Sequence, residues 1–178
     1  MTTRPQRHIF LAFFVAFCAV VTDQMTKLWA LHALSDNRTL TLIPRFLSLH
    51  LTYNSGAAFS LGQNRTWIFT LVSMIVVIAL SVYITRTSSR VYALLAALLV
   101  GGAFGNLLDR LLRPPALGIG HVVDFIDYGG FFVGNVADIW IVLAACFLVL
   151  FSIFSRELPQ KIGKTDADTT ISVDSSAS

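Results

Sequence analysis

Apolar and polar positions divide the chain into four long apolar runs, at about 9–34, 67–84, 91–109 and 136–154, separated by shorter mixed segments. A helix needs roughly 20 residues to cross a hydrocarbon core, so each run predicts a membrane span. The connector at 85–90 is short, which makes the second and third spans antiparallel neighbours. Between the first two spans, Phe46-Leu47-Ser48-Leu49-His50-Leu51-Thr52-Tyr53 alternates, and Asn54-Ser55-Gly56 follows as a turn. A period of two predicts a small β element, here at the membrane surface. The segment 110–135 is broken by Pro114-Pro115, Gly118, Gly120 and Gly129-Gly130 and reads as a loop. From Glu157 onward the chain turns to Ser, Thr, Asp and Lys, with little to bury, so a disordered tail is expected. The expected organisation is a membrane domain over 1–156 and a polar tail over 157–178.

Composition sharpens this picture. Hydrophobic residues make up 55% of the chain and charged residues 13%, which excludes a soluble globular domain. Arg4, Arg7, Arg86, Arg90, Arg156, Lys161 and Lys164 fall on one side of the spans; Arg38, Arg45, Arg65, Arg110 and Arg113 fall on the other. By the positive-inside rule both termini are cytoplasmic and the two longer loops face outward. The formal net charge of +3 sits at loop ends, where anionic headgroups are the natural partners, and gives no argument for nucleic acid. Arg4 and Arg7 precede an apolar stretch as in a signal peptide. No small-x-small site follows, so the first run is expected to stay as an uncleaved span. Cys18 and Cys146 lie inside apolar runs without CxxC spacing and read as small buried apolar residues, not a disulfide pair.

The candidate chemistry lies in the carboxylates. Of 10 acidic residues, Asp109, Asp124, Asp127 and Asp138 cluster around the third and fourth spans, and no other Asp or Glu occurs between Asp36 and Glu157. Carboxylates beside lipid are costly, so such a cluster marks a functional site. Asn106, Asp109 and Arg110 are spaced to share a helix face at the end of the third span. An interfacial ion pair that finishes the helix is the plainer reading of that trio. Gly101 and Gly105 form a small-xxx-small face for close helix packing. Asn135 and Asp138 share a face at the start of the fourth span, which turns Asp138 towards the bundle. Two carboxylates held close in a low dielectric share one proton. The ionised one can take a proton from water while the other polarises a carbonyl, which is aspartic-protease chemistry without metal, cofactor or nucleophilic side chain. No HExxH and no nucleophile-elbow serine is present. A weaker alternative gathers His121, Asp124, Asp127 and Asp138 as an oxygen-rich metal site.

Five segments occur in one order: Thr22-Asp23-Gln24-Met25-Thr26-Lys27, Tyr53-Asn54-Ser55-Gly56-Ala57-Ala58-Phe59-Ser60, the run from Gly101 to Arg110, Val122-Val123-Asp124-Phe125-Ile126, and Asn135-Val136-Ala137-Asp138. Together, over about 10–154, they resemble the lipoprotein signal peptidases, or signal peptidase II, a family of bacterial membrane aspartic peptidases. The resemblance implies four transmembrane helices with a small extracytoplasmic β-cradle and a short surface helix capping the site. It implies an endopeptidase of the bacterial cell membrane that removes signal peptides from diacylglyceryl-modified prolipoproteins, cutting just before the lipidated cysteine. Prolipoprotein and membrane lipid are its implied partners; no cofactor is implied, and a monomer is expected. By motif Asp124 and Asp138 match the catalytic pair, while Asn54, Asn106, Asp109, Arg110 and Asn135 match residues that line the site and hold substrate. Asp23 and Lys27 match a supporting pair, and Asp127 matches no motif. Asn54 and Asn106 are expected to clamp the substrate backbone, Arg110 to pair with Asp109, and the second loop to form the cap. Gly134 departs from the pattern, standing where an aromatic usually precedes the asparagine, and no proline lies between Phe131 and Asn135.

Two other classes compete. A proton- or cation-coupled carrier predicts carboxylates spread through the membrane depth and repeated spans; these gather near one side and no repeat is visible. A helix-assembly protein explains the glycine face but leaves Asp138 without a role.

Overall fold

The computed structural model describes residues 4–56 and 66–156. The end of the second motif, Ala57-Ala58-Phe59-Ser60, and the tail from 157 lie outside the described residues. Helices α1 (Arg4–Ala33), α2 (Thr66–Arg86), α3 (Arg90–Leu112) and α4 (Val136–Arg156) coincide with the four apolar runs, and all four are long and apolar enough to cross a membrane. The other three helices pack on α3. Lipid offers helices no hydrophobic drive to associate, so close approach of small residues does the work. A Cβ on Gly101 would lie 2.6 Å from the Ala19 methyl and 2.8 Å from the Ala16 carbonyl of α1. A Cβ on Gly102 would lie 2.6 Å from the Ala137 carbonyl of α4. Two adjacent glycines therefore seat two different helices. Towards the α2–α3 connector the core is Ala12, Ala16, Ile84, Ala93, Ala96, Ala97 and Val100.

At the opposite end, β1 (Thr39–Ile43), β2 (Leu47–Asn54), β3 (Val122–Asp127) and β4 (Val133–Gly134) make one antiparallel sheet in the order β1-β2-β3-β4. The alternating stretch thus forms β2, as its period predicts. The second loop differs from the expected cap: it supplies β3 and β4, and no surface helix occurs among the described residues. Its Val122, Val123, Phe125 and Ile126 are strand formers, and pairing with β2 satisfies backbone groups that burial would otherwise leave open. Phe125 anchors the sheet to the bundle, packing on Ala30 and Leu34 of α1. Cys18 and Cys146 correct another expectation, since both are exposed on helix faces turned away from the bundle. An apolar residue in a span can be covered by lipid as readily as by protein, so hydropathy alone does not predict burial there.

Candidate active site

The candidate site forms where α3 ends, α4 begins and β3 crosses between them. In the β2–β3 register Thr52 stands opposite Asp124, so Asn54 falls on the same face one diagonal away. Its Nδ2 donates to Asp124 Oδ2 at 2.9 Å. Asp138 is placed by the start of α4. Its N–H donates to Asn135 Oδ1 at 3.1 Å, and the Asn135 N–H donates back to Asp138 Oδ2 at 3.1 Å. This reciprocal capping box satisfies helix-end donors and fixes the carboxylate. The same Asn135 donates from Nδ2 to Asp124 Oδ1 at 2.6 Å, so one side chain reaches both aspartates. Asn106 completes the bridge: its Nδ2 donates to Asp138 Oδ1 at 3.0 Å, and its Oδ1 accepts Asn135 Nδ2 at 3.1 Å. Asp124 is only 2% exposed. Burial pushes its carboxyl up from 3.8 to about 6, opposed by the Asn54 hydrogen bond and reinforced by the charge of Asp138.

Behind these groups lies a second layer of charge. Lys27 Nζ sits 2.8 Å from both Asp23 Oδ2 and Asp109 Oδ2 and donates to Asn106 Oδ1 at 2.9 Å. Each of these carboxylates grips one backbone amide. Asp23 Oδ1 accepts the Ala137 N–H at 3.0 Å, and Asp109 Oδ2 accepts the Val123 N–H at 3.2 Å. Val123 and Ala137 immediately precede Asp124 and Asp138, so one ammonium cross-braces the two aspartates through their own backbones. Lys27 and Asp23 are 0% exposed and Asp109 is 1% exposed. Ions so deeply buried persist only when their remaining lone pairs and protons are also bonded, as they are here. Gly105 makes room, since a Cβ there would lie 2.5 Å from Asp23 Oδ2.

Two expectations need revision. Arg110 does not pair with Asp109: its Nη2 donates to the Gly56 carbonyl at 3.0 Å, and its guanidinium lies 5.5 Å from the Phe69 ring centroid. Asp109 instead accepts Arg113 Nε at 2.6 Å. The reason is helical geometry, because adjacent residues diverge while i and i+4 meet. A donor–acceptor clamp from Asn54 and Asn106 is also not free. Asn54 Oδ1 accepts the Gly56 N–H at 3.0 Å, and Asn106 Oδ1 already has two donors. The metal alternative does not assemble, for among the described residues no three His, Cys, Asp or Glu are grouped to hold an ion. Asp127 closes the β3–β4 turn, accepting Ser48 Oγ at 3.1 Å and the Gly130 N–H at 2.7 Å. Gly134, where an aromatic was expected, is covered by Phe132, whose Cε1 would lie 2.6 Å from a Cβ at that position.

Sequence reasoning gave no role to Gln24 or Arg113. Gln24 Nε2 donates to the Gly105 carbonyl at 3.0 Å and lies 3.1 Å from Asp23 Oδ2 and 3.3 Å from Asp109 Oδ1. Two signals were available: the spacing of Asp109 and Arg113 is that of a helical ion pair, and Asn135-Val136-Ala137-Asp138 has capping-box spacing.

Fold and site together define an integral membrane protein with a buried polar centre held between a four-helix bundle and a small sheet. Two bacterial membrane enzymes solved by the in meso method are similar. One has a TM-score of 0.72 at 25% identity, covering 87% of this chain and 94% of that one; the other has 0.68 at 27%, covering 80% and 92%. The family model described as Signal peptidase (SPase) II matches residues 15–154, and the chain belongs to that family. A lipoprotein signal peptidase of Bifidobacterium adolescentis is 42% identical over 168 residues, covering 92% of this chain and 89% of that one. Those of Rhodococcus jostii and Mycobacterium leprae are 43% and 37% identical, covering 85% and 94% of this chain and 76% and 83% of theirs. The protein is therefore a multi-pass peptidase of a bacterial membrane that removes signal peptides from prolipoproteins.

Proposed function

We propose that Asp124 and Asp138 share one proton and activate a water that cuts the bond just before the diacylglyceryl-modified cysteine of a prolipoprotein. The ionised carboxylate takes a proton from water as its oxygen attacks the carbonyl carbon, and the protonated one gives its proton to the carbonyl oxygen. As the C–N bond breaks, a proton passes to the cysteine nitrogen. The signal peptide leaves as a carboxylic acid, and the dyad ends with one proton as it began. No metal or cofactor enters a step. The observation that carries this reading is Asn135, which donates to Asp124 from its side chain and to Asp138 from its backbone. Charge balance supports it. Lys27 and Arg113 pair with Asp23 and Asp109, which leaves Arg110 as one positive charge for a dyad that holds one proton. Asn54, Asn106 and Asn135 orient the dyad; Asp23, Lys27 and Asp109 hold the backbone that carries it. Arg110 Nη1, without a partner among the described residues, takes a substrate oxygen.

The basic-residue bias supports cytoplasmic termini and a site near the extracytoplasmic face. A lipidated signal peptide is itself a span. Because α2 and α4 each pack on α3, with no substantial contact between the two among the described residues, we place its approach between them. The test is cleavage of a diacylglyceryl-modified prolipoprotein by purified protein in detergent, with and without a strong chelator. Asp138→Asn is expected to lower turnover by about 10²–10⁴-fold, and chelation to leave the wild type unchanged. Undiminished cleavage by the variant would sink the dyad, and loss on chelation would move the reading to a metal.

A further inference from the structure

Beside Asp138 stands an aromatic pair that neither the helix packing nor the dyad uses. Tyr128 and Phe132 stack at 6.2 Å between centroids and 19° between planes. The Tyr128 N–H donates to the Phe132 carbonyl at 2.9 Å, closing the β3–β4 turn. Gly129 and Gly130, with φ of 66° and 80°, supply left-handed residues to that turn, and Asp127 accepts the Gly130 N–H. The pair is thus held by backbone and not by a flexible loop. Burial and the charge of Asp138 both push the Tyr128 hydroxyl above its usual 10.0.

Gly134 shows how close the pair comes. A Cβ there would lie 2.6 Å from Phe132 Cε1 and 2.9 Å from Asp138 Oδ2, so the ring edge and the carboxylate flank one point. Consecutive phenylalanines part at this place: Phe131 is 85% exposed, whereas Phe132 is half-buried. Neither Tyr128 nor Phe132 belongs to the apolar clusters among the described residues. A large ring fixed next to a reacting carboxylate, outside any core, is positioned for something that arrives.

We propose that Phe132, backed by Tyr128, is a specificity-determining residue that limits the size of the substrate side chain preceding the cleaved bond. This rests on the dyad reading above. The carbonyl that the water attacks belongs to that preceding residue, and its Cβ is two bonds from the reacting carbon. On the other side of the bond stands the lipidated cysteine, common to all substrates, so a wall here discriminates through the preceding side chain. Hydrophobic pockets distinguish one methylene by roughly 10–200-fold.

The experiment compares kcat/KM for two diacylglyceryl-modified prolipoproteins that differ only in Ala or Leu just before the cysteine. Phe132→Ala is expected to lower the Ala-to-Leu preference by about tenfold or more, and Phe132→Trp to raise it. Opposite shifts in one ratio cannot come from a general loss of stability. A ratio unchanged in both variants, or shifted the same way in both, overturns the proposal. So does a Phe132→Ala enzyme whose only altered selectivity is for the acyl chains. Asp138→Asn is expected to lose both substrates equally, which keeps failure of the wall distinct from failure of the dyad.

Discussion

Helices α1 and α3 are joined by opposite means at their two ends. Towards the α2–α3 connector the contact is alanine and valine: Ala12 and Ala16 against Ala93, Ala96, Ala97 and Val100. Towards the sheet it is Asp23 and Lys27 against Asn106 and Asp109. Gly101 and Gly105 lie one turn apart on the same face of α3 and mark the change, the first receiving a methyl of Ala19 and the second the carboxylate of Asp23. Lipid is as apolar as the alanines, so the first end needs only a fit of shapes. At the second end every hydrogen bond is directional, and those that Asp23 and Asp109 accept from the Ala137 and Val123 N–H groups each fix an amide next to an aspartate of the site. One end holds the helices together, and the other sets the positions of the two aspartates of the proposed dyad.

The strongest way to break the second end is Lys27→Met. It strands Asp23 and Asp109 with one cation fewer, and removing one partner of a buried ion pair costs about 3–5 kcal/mol. Thermal unfolding in detergent should show that loss together with a fall in turnover. If the variant unfolds like wild type, the brace is not what holds this end.

The polar end also carries a titrating burden that the alanine end lacks. Asp124 has a folded-state value of about 6 against an ordinary 3.8, so its neutral form is the favoured one in the fold. Its stabilising contribution is complete below pH 3.8 and is lost as pH rises through about 6. At about 1.4 kcal/mol per unit the penalty approaches roughly 3 kcal/mol at neutral pH. The melting temperature of Asp124→Asn, relative to wild type, should rise between those two pH values and then level off. On the proposed mechanism, wild-type turnover should fall above about pH 6 as the dyad loses its shared proton.

Replacing each glycine by alanine tests the boundary directly. Gly101→Ala pushes on Ala19 and the Ala16 carbonyl and should cost about 1–3 kcal/mol by overpacking, with turnover per folded molecule retained. Gly105→Ala pushes on Asp23 and through it on the amide before Asp138. It should lower kcat at least tenfold for a similar stability loss, since about 1.4 kcal/mol of lost transition-state stabilisation is tenfold. Equal kcat in the two variants would erase the distinction between the ends. The smallest effect is expected at Cys146, exposed on α4: Cys146→Ala should change stability by no more than about 0.5 kcal/mol.

Hydropathy and period alone determined the four spans and the β2 strand, because span length and side-chain alternation are local properties of the chain. The five motifs named the family, and the i and i+4 spacing of Asp23 and Lys27 foretold their contact. Tertiary structure decided the rest. Asp109 lies beside Arg110 in the chain yet pairs with Arg113 and Lys27, since its direction follows helix rotation and the neighbouring helix. The second loop became half of a sheet because β2 stood ready to pair with it, a choice made by a strand some seventy residues away. Both cysteines face outward because hydropathy cannot tell protein from lipid, and helix packing alone selects which face turns in. The bridge through Asn135 shares that origin. Its capping bond to Asp138 is local and readable from spacing, while its bond to Asp124 exists only once β3 is laid against the start of α4.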